Sequence, residues 1–264
     1  MQDDKHYRVD RERLFSVDGR VALVTGSSGG LGLAMAAALA SAGAHVLING
    51  RYGETVNPLV AQFTKEGLSA SPMAFDVTDD KAREAAIARI EEQFGRIDIL
   101  VNNAAIRHRA PVEEMTVADY TRMLESHLIS AFALSRLAAP IMRRNKFGRI
   151  INLTSVSAIL GRAGDAAYIS AKGGISALTR ALACEFGSWG ITVNAICPGL
   201  FITEVNKDLM SVERHRRNVE ERTPLRRPAE PHELGGAAIF LSSEAGSYVT
   251  GHVLAVDGGM SIAI

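Results

Sequence analysis

Two cysteines in 264 residues, one tryptophan and no excess of either charge are the first things this sequence lacks. Cys184 and Cys197 stand in apolar surroundings without metal-ligand spacing, so neither a disulfide scaffold nor a zinc site organises the chain, no metal is expected, and each cysteine reads as a core thiol in a reducing compartment. Lys+Arg and Asp+Glu both total 29, which leaves no global field to draw the protein to nucleic acid or to an anionic membrane. Apolar runs of membrane-spanning length are missing. The N-terminal stretch, with Asp3, Asp4, Lys5, Arg8, Asp10, Arg11, Glu12 and Arg13, has no apolar segment of the signal-peptide kind. Repeats and low-complexity tracts are absent as well. These absences point to a cytoplasmic chain whose partner is a small molecule. Residues 1–18 read as an arm that is either disordered or packed on a neighbouring subunit, and residues 19–264 as one domain, for which 47% hydrophobic content suffices.

What is present is an alternation of short apolar runs with longer helical patterns. Val21–Val24 suits a strand buried on both faces, and the Gly-rich turn Thr25-Gly26-Ser27-Ser28-Gly29-Gly30-Leu31-Gly32 follows it. Leu33–Ala42, nearly all Ala, Leu and Met, then reads as a helix that Gly43 closes. In this strand–turn–helix context Gly26, Ser28, Gly30, Leu31 and Gly32 are candidates to hold a pyrophosphate, because the backbone can approach closely and offer amides at a helix N-terminus. His45–Asn49 is a second strand ending at Gly50-Arg51, where a dinucleotide fold reads the adenosine ribose. An arginine there, without a carboxylate, predicts NADP, with NAD as the alternative.

Helices are predicted over Pro58–Glu66, Lys81–Phe94, Thr116–Arg144 with a kink at Pro140, and Pro231–Leu241; strands over Ser71–Phe75, Ile97–Val101, Arg149–Leu153, Thr192–Ile196 and His252–Val256. The implied fold is α/β: a single Rossmann-like doubly wound domain with a seven-stranded parallel sheet flanked by helices, its ligands beyond the carboxyl ends of the strands. Those ends carry Asp76-Val77, Asn102-Asn103-Ala104, Thr154-Ser155 and Pro198-Gly199. Asp76 suits either an adenine amino group or the cap of the next helix. Residues 200–227, irregular and charged, read as a lid over the site.

Tyr168 and Lys172 stand one turn apart on a predicted helix, which puts a phenol beside an ammonium and makes the pair a candidate acid/base. Ser155 lies thirteen residues upstream, within reach of the phenol. From about Gly19 onward these motifs resemble, in register, the short-chain dehydrogenase/reductase family: the glycine turn, Asp76, Asn102-Asn103-Ala104, Ser155, Tyr168, Lys172 and Pro198-Gly199 with Thr203. The resemblance implies hydride transfer between a nicotinamide and a carbinol or carbonyl carbon. Tyr168 would exchange the hydroxyl proton, Ser155 hold the substrate oxygen, and Lys172 act on Tyr168 and the nicotinamide ribose. Val77, Ile202 and Thr203 join Gly26, Ser28, Gly30, Leu31, Gly32, Arg51, Asp76, Asn103, Ala104, Tyr168, Lys172, Pro198 and Gly199 as cofactor residues, and relatives commonly form homotetramers.

Within the family, the runs around His45–Arg51, Arg162–Asp165, Thr203–Asn206 and Tyr248–Gly259 look most like the bacterial gluconate 5-dehydrogenases, which implies a sugar acid such as gluconate or 5-ketogluconate. Arg107, His108, Arg109 and Arg162 are then candidates for its carboxylate. One departure is His127, where the family usually has an asparagine that serves a water relay; imidazole could replace that relay or fill the space. Another is Gly29, where many NADP-preferring relatives carry a basic residue. Two other readings are a reductase of 3-oxoacyl groups on acyl carrier protein, with Arg216, Arg217, Arg222, Arg226 and Arg227 facing an acidic carrier, and a weakly active regulatory protein that binds the cofactor.

Overall fold

A computed structural model describes residues 10–204, 206–208 and 212–263. Most of the predicted arm, residues 1–9, and parts of the predicted lid, residues 205 and 209–211, lie outside the described residues. Seven parallel strands form one sheet in the order β3-β2-β1-β4-β5-β6-β7. They are β1 (Val21–Val24), β2 (His45–Ile48), β3 (Ala70–Pro72), β4 (Ile99–Asn102), β5 (Gly148–Leu153), β6 (Ile191–Pro198) and β7 (Val253–Val256). The register Val24↔Ile48 and Val24↔Val101 aligns the carboxyl ends of β2, β1 and β4. Strand order reverses beside β1, which opens a crevice at that edge.

Period-two alternation explains why these strands are apolar throughout: successive residues enter different layers. Val21, Leu23, Leu100, Ile150 and Val193 pack in one core with residues of α4 (Asp80–Phe94), α6 (Ser130–Arg144) and α7 (Ala166–Phe186). Ala22, Val24, Ile99, Val101 and Ile151 pack in the other, with Met35 and Leu39 of α2 (Gly30–Ser41), Phe63 of α3 (Gly53–Lys65) and Leu241 of α9 (Gly235–Ser242). Before β1, the short α1 (Arg11–Phe15) leads to Val17, which is buried and bonds from its N–H to the Ala42 carbonyl, so the packed domain begins inside the stretch expected as an arm.

Several boundaries differ from expectation. α3 starts five residues before Pro58, because the exposed second turn tolerates a missing N–H. The predicted long helix runs unbroken from Val117 to Arg144 but contains a π-turn at Glu125–Ile129, between the α-helical parts α5 (Val117–Leu124) and α6, and Pro140 sits inside α6. The extra residue of that turn puts Ser126 and His127 in the interior. Cys197 is buried as expected, with its thiol pushed up to about 11 by burial and Asp257, but Cys184 is exposed on α7, a correction to the core-thiol reading. Its neighbours Leu182, Ala183 and Phe186 form the buried face of α7, whereas Cys184 lies on the exposed one.

Candidate active site

Gly26 takes φ +62°, and a Cβ there would stand 2.8 Å from the Ala104 Cα, so the turn after β1 needs glycine both for conformation and for closeness. Gly32, in the first turn of α2, lies against the Gly26 carbonyl and the Asn103 amide. Asn103 donates through Nδ2 to the Thr25 and Gly26 carbonyls at 2.9 and 3.1 Å, tying the end of β4 to the glycine turn. The α2 N-terminus has no side-chain cap. Its first-turn amides therefore remain for a ligand, which is the fit a pyrophosphate requires.

The groove over this turn has a volume of about 960 Å³. Of the residues singled out for a cofactor, Gly26, Ser28, Gly30, Leu31, Gly32, Arg51, Asp76, Val77, Asn103, Ala104, Tyr168, Lys172, Pro198, Gly199 and Thr203 all line it. Ile202 is absent from that lining, and its N–H bonds the Ala229 carbonyl. Arg51 is exposed beside Gly50, its guanidinium 5.6 Å from the Tyr52 ring centre. Of the two roles open to Asp76 the helix cap falls to another residue: Asp79 caps α4 by accepting from Ala82 N, whereas Asp76 folds back on Thr78 through Oδ1 and lines the groove. Arg122 of α5 also lines the groove and went unnoticed in the sequence, where it looks like any helix-surface cation.

A second cavity, of about 660 Å³, meets the first at Ser155, Tyr168, Gly199 and Thr203. Asn218, Val219 and Arg222 of α8 (Glu213–Arg222) close one side of it. Arg107, Arg109 and Arg162 line another. All three converge on Asp165, whose carboxylate is fully buried: Arg107 Nη2 lies 3.0 Å away, Arg109 Nε 2.8 Å and Arg162 Nε 3.8 Å. Sequence reading did not single out Asp165, which gathers these cations; it precedes α7 and looks there like an ordinary helix cap, yet its side chain makes no cap bond. Three guanidinium groups against one carboxylate leave a net of two positive charges at the cavity wall. The α8 arginines are engaged differently: Arg216 pairs with Glu220 and Arg217 with Glu213, while beyond the helix Arg227 pairs with Glu233.

Tyr168 lines both cavities and Lys172 the groove, one turn apart on α7 as predicted. Lys172 donates through Nζ to the Leu153 carbonyl at 2.6 Å, and burial together with Arg107 brings its ammonium down to about 7. Ser155 accepts through Oγ from Ser157 N at 3.1 Å, fixing the hydroxyl at the cavity wall. His127 meets the Tyr168 ring edge-on, with centroids 5.5 Å apart, and its Nε2 lies 2.8 Å from the Ile106 carbonyl. Burial first, then Lys172 and Arg107, lower its pKa to about 3. The ring is therefore neutral near pH 7, with Nε2–H donating to Ile106.

A family described as "Enoyl-(Acyl carrier protein) reductase" matches residues 26–261. A gluconate 5-dehydrogenase of Gluconobacter oxydans is 41% identical over 251 residues, covering 95% of this chain and 98% of that protein. The chain belongs to the short-chain dehydrogenase/reductase family. A 2-dehydro-3-deoxy-D-gluconate 5-dehydrogenase of Formosa agariphila is 42% identical, over 94% of each chain. The crystal structure of a gluconate 5-dehydrogenase from Burkholderia cenocepacia, in complex with NADP and tartrate, superposes with a TM-score of 0.92 at 39% identity, covering 96% of this chain and 99% of that one. Family membership makes this protein an oxidoreductase acting on CH–OH groups.

Proposed function

We propose that the protein is an NADP-dependent oxidoreductase that interconverts a secondary alcohol and a ketone on a sugar acid, with gluconate and 5-ketogluconate as the reference pair. The observation that carries this reading is the meeting of a dinucleotide groove with an arginine-lined cavity at Ser155 and Tyr168. The nicotinamide, when bound, supplies the hydride acceptor or donor. The chain does the rest. Tyr168 exchanges the hydroxyl proton, Ser155 holds the oxygen as its charge develops, and Lys172 supports both the phenol and the ribose. Arg107, Arg109 and Arg162 give the carboxylate a positive wall, and Arg51 meets the 2′-phosphate of NADP. His127 positions the Ile106 carbonyl beside them.

The carrier-protein alternative calls for cations free to face an acidic surface, and of its five arginines Arg216, Arg217 and Arg227 pair with glutamates of this chain, which leaves Arg222 and Arg226 for that role. A homotetramer in the cytoplasm fits the same picture, since Ile129 and Phe132 leave an apolar surface at the start of α6 for a neighbouring subunit. No described helix is long and apolar enough to cross a membrane. The test is a screen of aldonates, neutral polyols and ketones with both nucleotides, followed by the absorbance of the reduced nicotinamide. Aldonates with NADP are expected to give the highest kcat/KM, and Tyr168→Phe to lower turnover about a thousandfold. Equal rates on aldonates and neutral polyols would remove the sugar-acid assignment, and unchanged turnover in Tyr168→Phe the acid/base assignment.

A further inference from the structure

The substrate cavity is one-sided in charge. Four guanidinium groups line it, those of Arg107, Arg109, Arg162 and Arg222, and among the described residues no carboxylate joins them. Asp165, outside the lining, binds the first three and supplies one negative charge. Three net positive charges therefore face this space, and the single carboxylate of a sugar acid offsets only one of them.

Arg222 is the cation left over. Arg216 and Arg217 of the same helix pair with Glu220 and Glu213 one turn away, whereas Arg222, the last residue of α8, has no side-chain partner among the described residues. A cation suits a helix C-terminus without any ligand. Its orientation needs a further reason, because Asn218 and Val219, one turn earlier, share its face and line the cavity with it. That face is held in place. Val219 is 9% exposed and Thr223 3%, the Leu225 N–H donates to the Gly258 carbonyl at 3.2 Å, and a Cβ on Gly258 would stand 2.7 Å from the Thr223 methyl. The Asn218 amide, also without a side-chain partner among the described residues, adds donors beside the guanidinium.

We infer that the cavity takes a sugar acid with an anionic group at each end of its carbon chain, one end on the arginines gathered by Asp165 and the other on Arg222 and the Asn218 amide. The inference rests on the sugar-acid reading and deepens it from a monoanion to a dianion. A second carboxylate and a phosphate ester both present the oxygens that a guanidinium fork matches. Ser155 and Tyr168 line the same cavity, so the carbinol they act on is an interior carbon of that chain, as a secondary alcohol must be. Ion pairs open to water are worth little singly, so the preference comes from seating both ends at once, and it weakens as salt is added.

The test is calorimetric titration of the NADPH complex with glucitol, gluconate, glucarate and 6-phosphogluconate. These alcohols meet no hydride acceptor there, so binding is read without turnover. Glucarate or 6-phosphogluconate is expected to bind about tenfold more tightly than gluconate, or 1.4 kcal/mol. Which of the two leads tells a carboxylate from a phosphate at the second end. In Arg222→Gln the preference should fall to about twofold or less, while Arg216→Gln, on the same helix but paired with Glu220, should keep it. Arg222 is exposed, so its replacement leaves the fold intact, which circular dichroism verifies. Equal affinities for gluconate and both dianions in the unaltered protein would overturn the inference, as would a preference that survives in Arg222→Gln. Gluconate binding no better than glucitol would instead overturn the sugar-acid reading on which it stands.

Discussion

Two fully buried carboxylates, one at each edge of the sheet, are both held by arginines, yet they do different work. Asp98, just before β4 at the amino edge, accepts from Val21 N at 2.9 Å, from Arg96 through two nitrogens at 2.6 and 2.7 Å, and from Arg20 at 3.4 Å. Arg20 in turn stacks on Phe147, 3.5 Å from its ring centre. The cluster closes on itself, strand, loop and arginine together. Asp165, at the carboxyl edge, takes Arg107, Arg109 and Arg162 as its side-chain partners among the described residues, and those arginines line a cavity. The same ion-pair chemistry fastens strands where a parallel sheet has no crevice and forms a ligand wall where it has one.

The comparison predicts that stability and activity separate. Asp98→Ala should cost about 3 kcal/mol of folding stability in urea titration, since the buried Val21 N–H loses its acceptor and two arginines lose their anchor, while turnover of the folded protein stays unchanged. A fall in turnover at full stability would break the comparison. Asp165→Asn should do the reverse. Its partners are each more than one-third exposed on their side chains, so stability should change by about 1 kcal/mol or less. Loosening Arg107 and Arg109 should lower kcat/KM for a carboxylate substrate about tenfold, or 1.4 kcal/mol. Steady-state kinetics on an aldonate and a neutral polyol would sharpen the point, because the loss in KM belongs to the charged substrate.

Much of the carboxyl edge was legible in the sequence, because its chemistry is local. The glycine turn, Arg51, Asp76 and the Tyr168–Lys172 spacing each declare themselves within a few residues of a strand end or a helix turn, and all line the groove. The strands were legible for a related reason: both faces are buried, so they read as apolar runs. What stayed hidden depends on partners far away in the chain. Asp165 acquires its meaning from Arg107 and Arg109, which lie 58 and 56 residues upstream. The π-turn arises from where His127 must sit against Ile106, 21 residues away, and no helical periodicity announces it. Cys184 was misread because apolar neighbours do not say which face of a helix a residue occupies.

His127 lies at the carboxyl edge but behaves as a residue of the closed kind, and it supplies the smallest expected effect. It is 2% exposed, bonds a backbone carbonyl through Nε2, and leaves Nδ1 without a partner among the described residues. An asparagine amide can donate to the same carbonyl, so His127→Asn should change turnover at neutral pH by less than about threefold, or 0.6 kcal/mol. Acid behaviour distinguishes the two side chains. The folded-state pKa of about 3 lies below the ordinary histidine value of 6.5, so between those values the unfolded chain binds the extra proton. The contribution of a neutral imidazole is present in full above 6.5 and is lost as pH falls toward 3, whereas asparagine has no proton to gain. Urea titrations from pH 7 down to pH 4 should therefore show a shallower loss of stability in His127→Asn. A drop in turnover beyond a hundredfold, about 2.7 kcal/mol, would mean instead that the imidazole does something for Tyr168 that an amide cannot.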